Sequence, residues 1–231
     1  MVWIMMNLEE ICRIFINWKK AESTTNRIRN NYLINKKTIM INIVLFGPPG
    51  SGKGTQAQLL IDKFNLKQIS TGDLFRYNMK NDTDLGKLAK SYIDKGELVP
   101  DQVTIDMLVD ELRKPTNTNG FIFDGFPRTA HQTDALENIV KDELGTEISV
   151  CLSLVVDDEA LVQRLLKRGE TSGRTDDSNE DIIRNRIKEY YAKTAEVAEL
   201  YKKQGNYVEV NGIGDISEIS EKLFAEVEKI K

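Results

Sequence analysis

From residue 41 onward, short apolar runs alternate with segments in which apolar side chains return every three to four positions. The first run, 41–46, reads Ile-Asn-Ile-Val-Leu-Phe and ends in glycine and prolines, the pattern of a buried parallel strand. After that turn Ala57, Leu60, Ile61 and Phe64 fall at i, i+3, i+4 and i+7, which predicts a helix over 52–64. Further strands are predicted at 67–70, 121–124, 148–156 and 207–210, with helices at 73–79, 85–95, 101–113, 130–141, 157–168, 179–204 and 215–230. This alternation calls for an α/β domain with a doubly wound parallel sheet and ligands at the C-terminal strand ends.

The first 40 residues break the pattern. Ile4, Leu8, Ile11, Phe15 and Trp18 recur at helical spacing, and a polar Asn/Lys/Arg segment follows over 24–37. Two acids in the middle of the amphipathic stretch, with Ser and Arg sparse, argue against organelle targeting by a presequence. The expectation is a non-catalytic extension over 1–40, or an upstream start codon with Met40 as working initiator, followed by one catalytic domain over 41–231.

Composition excludes several chemistries. His131 is the single histidine, so a catalytic triad would have to use it and a multi-histidine metal site is impossible. Cys12 and Cys151 are too few and too distant for a four-cysteine zinc site or a disulfide framework, leaving at most one long-range bridge. A reducing, cytoplasmic setting is expected. Residues 1–40 hold seven of the 32 basic residues and three of the 36 acids, a local excess of +4, so the remainder carries −8. An acidic body argues against a nucleic-acid partner, and an anionic ligand must meet a local basic cluster. No apolar run reaches the roughly 20 residues of a membrane helix, so a soluble protein with no membrane partner is expected.

Such a cluster is present in the pattern. Gly47-Pro48-Pro49-Gly50-Ser51-Gly52-Lys53-Gly54-Thr55 joins the first strand to the first helix. Glycines let backbone amides turn inward around an anion, the helix N-terminus adds partial positive charge, and Lys53 supplies a mobile full charge. Asp124, at the end of a buried strand, is placed to hold Mg²⁺ or its water shell. Arg164, Lys167 and Arg168 share one helix face. A polar segment with glycines at 169 and 173 follows, then Arg174, and Arg186 on the next helix. Arginines around a glycine-hinged segment suit phosphoryl transfer, which relies on positive charge delivered to the transferring group.

On these residues the chain from 41 onward resembles the adenylate kinases. Five ordered motifs carry the likeness: the 47–56 loop ending in Gln56, Ser70-Thr71-Gly72-Asp73, Lys95-Gly96-Glu97-Leu98-Val99-Pro100, Asp124-Gly125-Phe126-Pro127-Arg128 with Gln132, and 168–174. The resemblance implies a five-stranded sheet of the P-loop kinase type with a small helical lobe over about 70–99 for the nucleoside monophosphate and a short lid over about 168–178. It implies reversible transfer of a phosphoryl group from MgATP to AMP, giving two ADP, in adenine nucleotide homeostasis.

By similarity, Gly50, Ser51, Gly52, Lys53, Gly54, Thr55, Arg164, Arg168 and Gly214 correspond to ATP-binding positions. Thr71, Arg76, Glu97, Leu98, Val99, Gly125, Phe126, Pro127, Arg128, Gln132, Arg174 and Arg186 correspond to the AMP pocket. Lys53, Arg128, Arg168, Arg174 and Arg186 match the catalytic cations, with Arg184 as the neighbour that could replace Arg186. Asp124 and Thr55 are the candidate Mg²⁺ positions. The lid lacks cysteine, so no structural zinc is expected, and the resemblance implies a monomer. Gln132 is an amide that can donate and accept, the minimum for reading adenine's edge. His131 matches no catalytic part.

Two rivals are weighed. A uridylate/cytidylate kinase shares the short lid and most arginines, but Thr71 and Thr129 depart from its Ser-Ala and Arg-Asn pairs. A non-catalytic nucleotide-binding switch of the GTPase type would need an Asn-Lys-x-Asp guanine reader, and Asn35-Lys36-Lys37-Thr38 lacks the aspartate.

Overall fold

The computed structural model describes residues 40–230. The amphipathic stretch, Cys12 and the expectations for the extension lie outside the described residues. Within them the chain runs β1 (Ile41–Phe46), α1 (Lys53–Phe64), β2 (Lys67–Ser70), α2 (Thr71–Lys80), α3 (Asp84–Ile93), α4 (Asp101–Leu112) and β3 (Gly120–Asp124). It continues with α5 (Ala130–Leu144), β4 (Val150–Val155), α6 (Asp158–Ser172), a 3₁₀ turn at Thr175–Asp177, α7 (Glu180–Gln204), β5 (Tyr207–Asn211) and α8 (Ile216–Glu228).

The strands form one parallel sheet in the order β2-β3-β1-β4-β5. Because β1 is central and its neighbours are β3 and β4, the connections leave it toward opposite edges, and the switch point opens at its C-terminal end. The alternation of side chains along β1 builds the two faces. Ile41, Ile43 and Leu45 pack with Ala57, Leu60 and Phe64 of α1 and with Ile219, Leu223 and Val227 of α8. Val44 and Phe46 point the other way, among Ile105, Leu108 and Leu112 of α4, Leu136 and Val140 of α5, and Val197 and Tyr201 of α7. A smaller cluster of Phe75, Ala89, Val99 and Met107 holds α2, α3 and the start of α4 together beyond the strand ends.

One residue of β1 departs from the apolar run. Asn42 is fully buried, yet its Nδ2 donates to Thr146 Oγ1 at 2.7 Å and to the Glu147 carbonyl at 3.1 Å. Its backbone N–H donates to Ser149 Oγ at 3.1 Å. The polar side chain therefore ties the α5–β4 connection to the central strand, and the two hydrogen bonds from Nδ2 offset part of the cost of burying it, with Oδ1 left unpartnered.

Cys151, on β4, is a free thiol in the second core, and burial pushes its pKa up, so it is chemically quiet. No helix among the described residues is long and apolar enough to cross a membrane.

Replacing Asn42 by Leu leaves the Thr146 hydroxyl and the Glu147 carbonyl without this partner. Equilibrium urea unfolding is expected to lose about 1–3 kcal/mol, with nucleotide KM values unchanged because the site is at the far end of the strand.

Candidate active site

The loop after β1, the starts of α2 and α5, the end of β3 and one side of α6 and α7 surround a cavity of about 400 Å³. A second cavity of about 270 Å³ lies on the other side of the glycine loop, lined by Gly212, Gly214 and Ile216, and both share Gly50, Gly52, Thr55 and Arg164. The positions that correspond by resemblance to ATP, AMP and Mg²⁺ sites all line one or the other, whereas the alternative Arg184 lines neither. Ser51 and Gly214 belong to the second cavity, and the rest reach the first.

The cradle follows from local geometry. Gly52 has φ +99°, a left-handed conformation that side-chain-bearing residues avoid, and caps α1 with no side-chain hydrogen bond. The first amides of α1 thus stay available to an anion at the helix end. Lys53 Nζ donates to the carbonyls of Gly47 at 2.6 Å and Pro48 at 3.0 Å, so the ammonium sits inside the loop. Burial lowers its pKa to about 8. Asp124 opposes the shift, while Arg128, Arg186 and Arg168 add to it.

Parallel pairing of β1 with β3 sets Leu45 beside Asp124, which brings the carboxylate level with the start of the loop. Gln68, on the neighbouring β2, donates from Nε2 to Asp124 Oδ2 at 3.0 Å and fixes that carboxylate. A single carboxylate and the Thr55 hydroxyl suit a hydrated Mg²⁺ that arrives with phosphates, since Mg²⁺ keeps several waters and rarely has an all-protein cage. Among the described residues no group of three His, Cys, Asp or Glu side chains converges on a point.

The arginines are organised by three aspartates. Asp177 is fully buried and accepts from Arg168 through both oxygens, Nε at 2.6 Å and a terminal nitrogen at 3.0 Å. Its Oδ1 also accepts from Arg186 at 2.6 Å, and Arg186 reaches the Asp176 carbonyl and carboxylate at 3.0 Å each. Burial opposes ionisation of Asp177, but the hydrogen bonds and charges of Arg168 and Arg186 outweigh it and hold the carboxyl below its ordinary range. Arg76 pairs with Asp73, which also lies 3.8 Å from Arg174. Burial, reinforced by Arg186, makes the Arg128 charge costly, and burial with Arg76 does the same to Arg174. An anion entering this cavity would relieve each of them.

The segment after Arg168 has a different shape from the polar hinge that its composition predicts. Helix α6 runs on through Ser172 and ends at Gly173 in a left-handed cap. Gly169 is helical, and a Cβ there would come within 2.4 Å of the Asp177 carbonyl oxygen. Glycine is needed at 169 for close packing of the 3₁₀ turn on the helix, and only 173 is a turn glycine. Arg186 lines the cavity. Arg184 points away, into ion pairs with Glu159 and Glu180 on the exposed face.

At the other end of the cavity, Thr71 Oγ1 and Arg128 Nε both donate to the Gly125 carbonyl, at 3.0 and 2.8 Å. Gln132 is 3% exposed, although its place on a helix allowed a surface position. His131 next to it is largely exposed, 3.4 Å from Asp101. Four polar partners had no signal in the sequence pattern: Gln68, Asp101, Asp176 and Asp177. The only local hint was a pair of adjacent acids within an arginine-rich segment.

A family model described as adenylate kinase matches residues 45–206. The chain belongs to the adenylate kinase family. It is 56% identical over 186 residues to the adenylate kinase of Flavobacterium psychrophilum, covering 80% of this chain and 96% of that one. It is 51% identical over 191 residues to the adenylate kinase of Flavobacterium johnsoniae, covering 83% and 100%, and 47% identical over 192 residues to that of Parabacteroides distasonis, again covering 83% and 100%. The match to an adenylate kinase model spans the glycine loop, the Asp124 strand and all five cavity arginines from 128 to 186.

A phosphate chain in the cradle favours the Lys53 ammonium, whereas above about pH 8 the empty site favours the neutral amine. ATP affinity measured by calorimetry is therefore expected to fall as pH rises through about 8, by up to about tenfold per unit. In Lys53→Arg, whose charge does not titrate in this range, that fall should be absent.

Proposed function

We propose that the chain catalyses reversible phosphoryl transfer from MgATP to AMP, giving two ADP. The observation that carries this reading is the convergence of Lys53, Arg128, Arg168, Arg174 and Arg186 on one cavity between the glycine loop and Gln132. In this reading the donor phosphates lie along Gly50, Ser51, Gly52, Lys53, Gly54 and Thr55. The donor base occupies the smaller cavity, between Arg164 and the Gly214 backbone, with Arg168 on the side of the larger one. The acceptor lies against Thr71, Arg76, the 97–99 strip, Gly125, Phe126, Pro127, Arg128 and Gln132, with Arg174 and Arg186 reaching its phosphate. Mg²⁺ travelling with ATP would neutralise phosphate charge, held through water by Asp124 and by Thr55.

Little acid–base work is needed, because the acceptor is already an anionic phosphate oxygen. What the residues supply is alignment and charge. Lys53 and the arginines hold the two phosphates in line and stabilise the charge that spreads over the transferring group. Segments 70–99 and 168–178 act as lobes that exclude water from the transfer. Arg174 and Asp73 already lie across from each other between the two segments, as do Thr175 and Asp94, joined by a 3.3 Å hydrogen bond. The reading extends to a monomer working in the cytoplasm in adenine nucleotide homeostasis, supported by the buried free thiol of Cys151 and the acidic body of the chain.

A coupled assay with AMP, CMP, UMP and GMP as acceptors tests the proposal. AMP should be the preferred acceptor, and absence of ADP from AMP would overturn it. Lys53→Met should lower kcat by about two to four orders of magnitude while circular dichroism stays native. Near-normal turnover in that variant would remove Lys53 from the mechanism.

A further inference from the structure

The amide of Gln132 is held between two neighbours of opposite hydrogen-bonding character. Nε2 donates to Asp101 Oδ1 at 2.7 Å, and Oε1 accepts from the Arg128 backbone N–H at 2.8 Å. A carboxylate only accepts and a backbone N–H only donates. Turning over the amide, which is itself buried, would set its NH₂ against an N–H and its oxygen against a carboxylate, both at hydrogen-bond distance. Asp101 is itself fixed. It is the first residue of α4, and its Oδ2 accepts from Thr129 Oγ1 at 2.7 Å. Thr129 caps α5, accepting from the Gln132 backbone N–H at 3.2 Å. The starts of two helices thus close one network around one amide.

After these two bonds the amide has one N–H and one acceptor direction left. Adenine offers an amino donor beside a ring-nitrogen acceptor. Guanine offers a carbonyl acceptor where adenine has the amino group, and an N–H where adenine N1 is bare. An amide in one orientation matches adenine, and the same amide turned over matches guanine.

We propose that Asp101 is a positioning residue for acceptor specificity: by forbidding the flip of Gln132 it makes the pocket favour adenosine over guanosine monophosphate. The inference rests on Gln132 being the reader of the acceptor base.

The test uses the full chain and the variants Asp101→Asn, Asp101→Ala and Gln132→Ala. KM and kcat for AMP are measured together with the inhibition constant of GMP as a competitor of AMP. Asparagine is nearly isosteric with aspartate but can turn either an oxygen or an NH₂ toward Gln132, so it allows the flip without disturbing the packing. In both Asp101 variants the ratio of the GMP inhibition constant to the AMP KM should drop about tenfold, the size of one hydrogen bond to a charged group, with kcat within about threefold of the parent. Structural damage alone would weaken both nucleotides together and leave that ratio in place. A ratio within twofold of the parent in Asp101→Asn overturns the inference, even if Asp101→Ala fails to fold. If Gln132→Ala moves the ratio and the Asp101 variants do not, only the role of Asp101 falls. If Gln132→Ala leaves it unmoved as well, the reading of Gln132 falls with it.

Discussion

The cleft depends on a single buried carboxylate. Seven cationic side chains line one cavity, and their mutual repulsion would drive them apart into solvent. Asp177 answers this by accepting from Arg168 and Arg186 at once, with no exposed surface of its own. Removing one partner of such a buried pair typically costs about 3–5 kcal/mol, because the remaining charge is left without compensation. The same contact fastens the end of α6 to the 3₁₀ turn and to α7, and the lack of a side chain at Gly169 is what allows that approach. Arg168 and Arg186 are therefore held in place by the fold itself, the preorganisation on which the proposed transfer would draw.

Three charged groups of the cleft, Lys53, Arg128 and Asp124, hydrogen-bond to neutral partners. Lys53 rests on two neutral loop carbonyls, and burial lowers its pKa. Arg128 is turned by the Gly125 carbonyl, a neutral partner, so its charge is also uncompensated. Asp124 is steadied by an amide instead of by a cation, as the proposed role beside a hydrated Mg²⁺ would require. Full pairing of these groups within the protein would have made a more stable fold and a poorer receptor for anions.

Much of this was legible along the chain. The five strands and the intervening helices follow from apolar runs and helical spacing, with ends differing by a few residues, and the glycine loop, Asp124 and the arginines stand in recognisable motifs. The features that the pattern left open share a cause. Asn42 disrupts an apolar strand and is tolerated because the α5–β4 connection meets it with hydrogen-bond partners. Helix α6 outruns the polar composition of 169–172, because packing of the 3₁₀ turn keeps Gly169 helical. Arg184 and Arg186 are two positions apart on one helix and so face about 200° apart, but which of them faces inward depends on the contacts α7 makes with α6 and the 3₁₀ turn.

The order of strands and helices, the anion-binding loop and the basic character of the cleft are local properties, set by periodicity and residue type within short windows, and the sequence alone determines them. The orientation of Gln132, the sharing of Asp177 and the choice between neighbouring arginines are relations between residues 9 to 31 positions apart, or on separate helices. They were decided by the tertiary structure, because a hydrogen bond depends on where two elements meet, and no short stretch of sequence contains both of its ends.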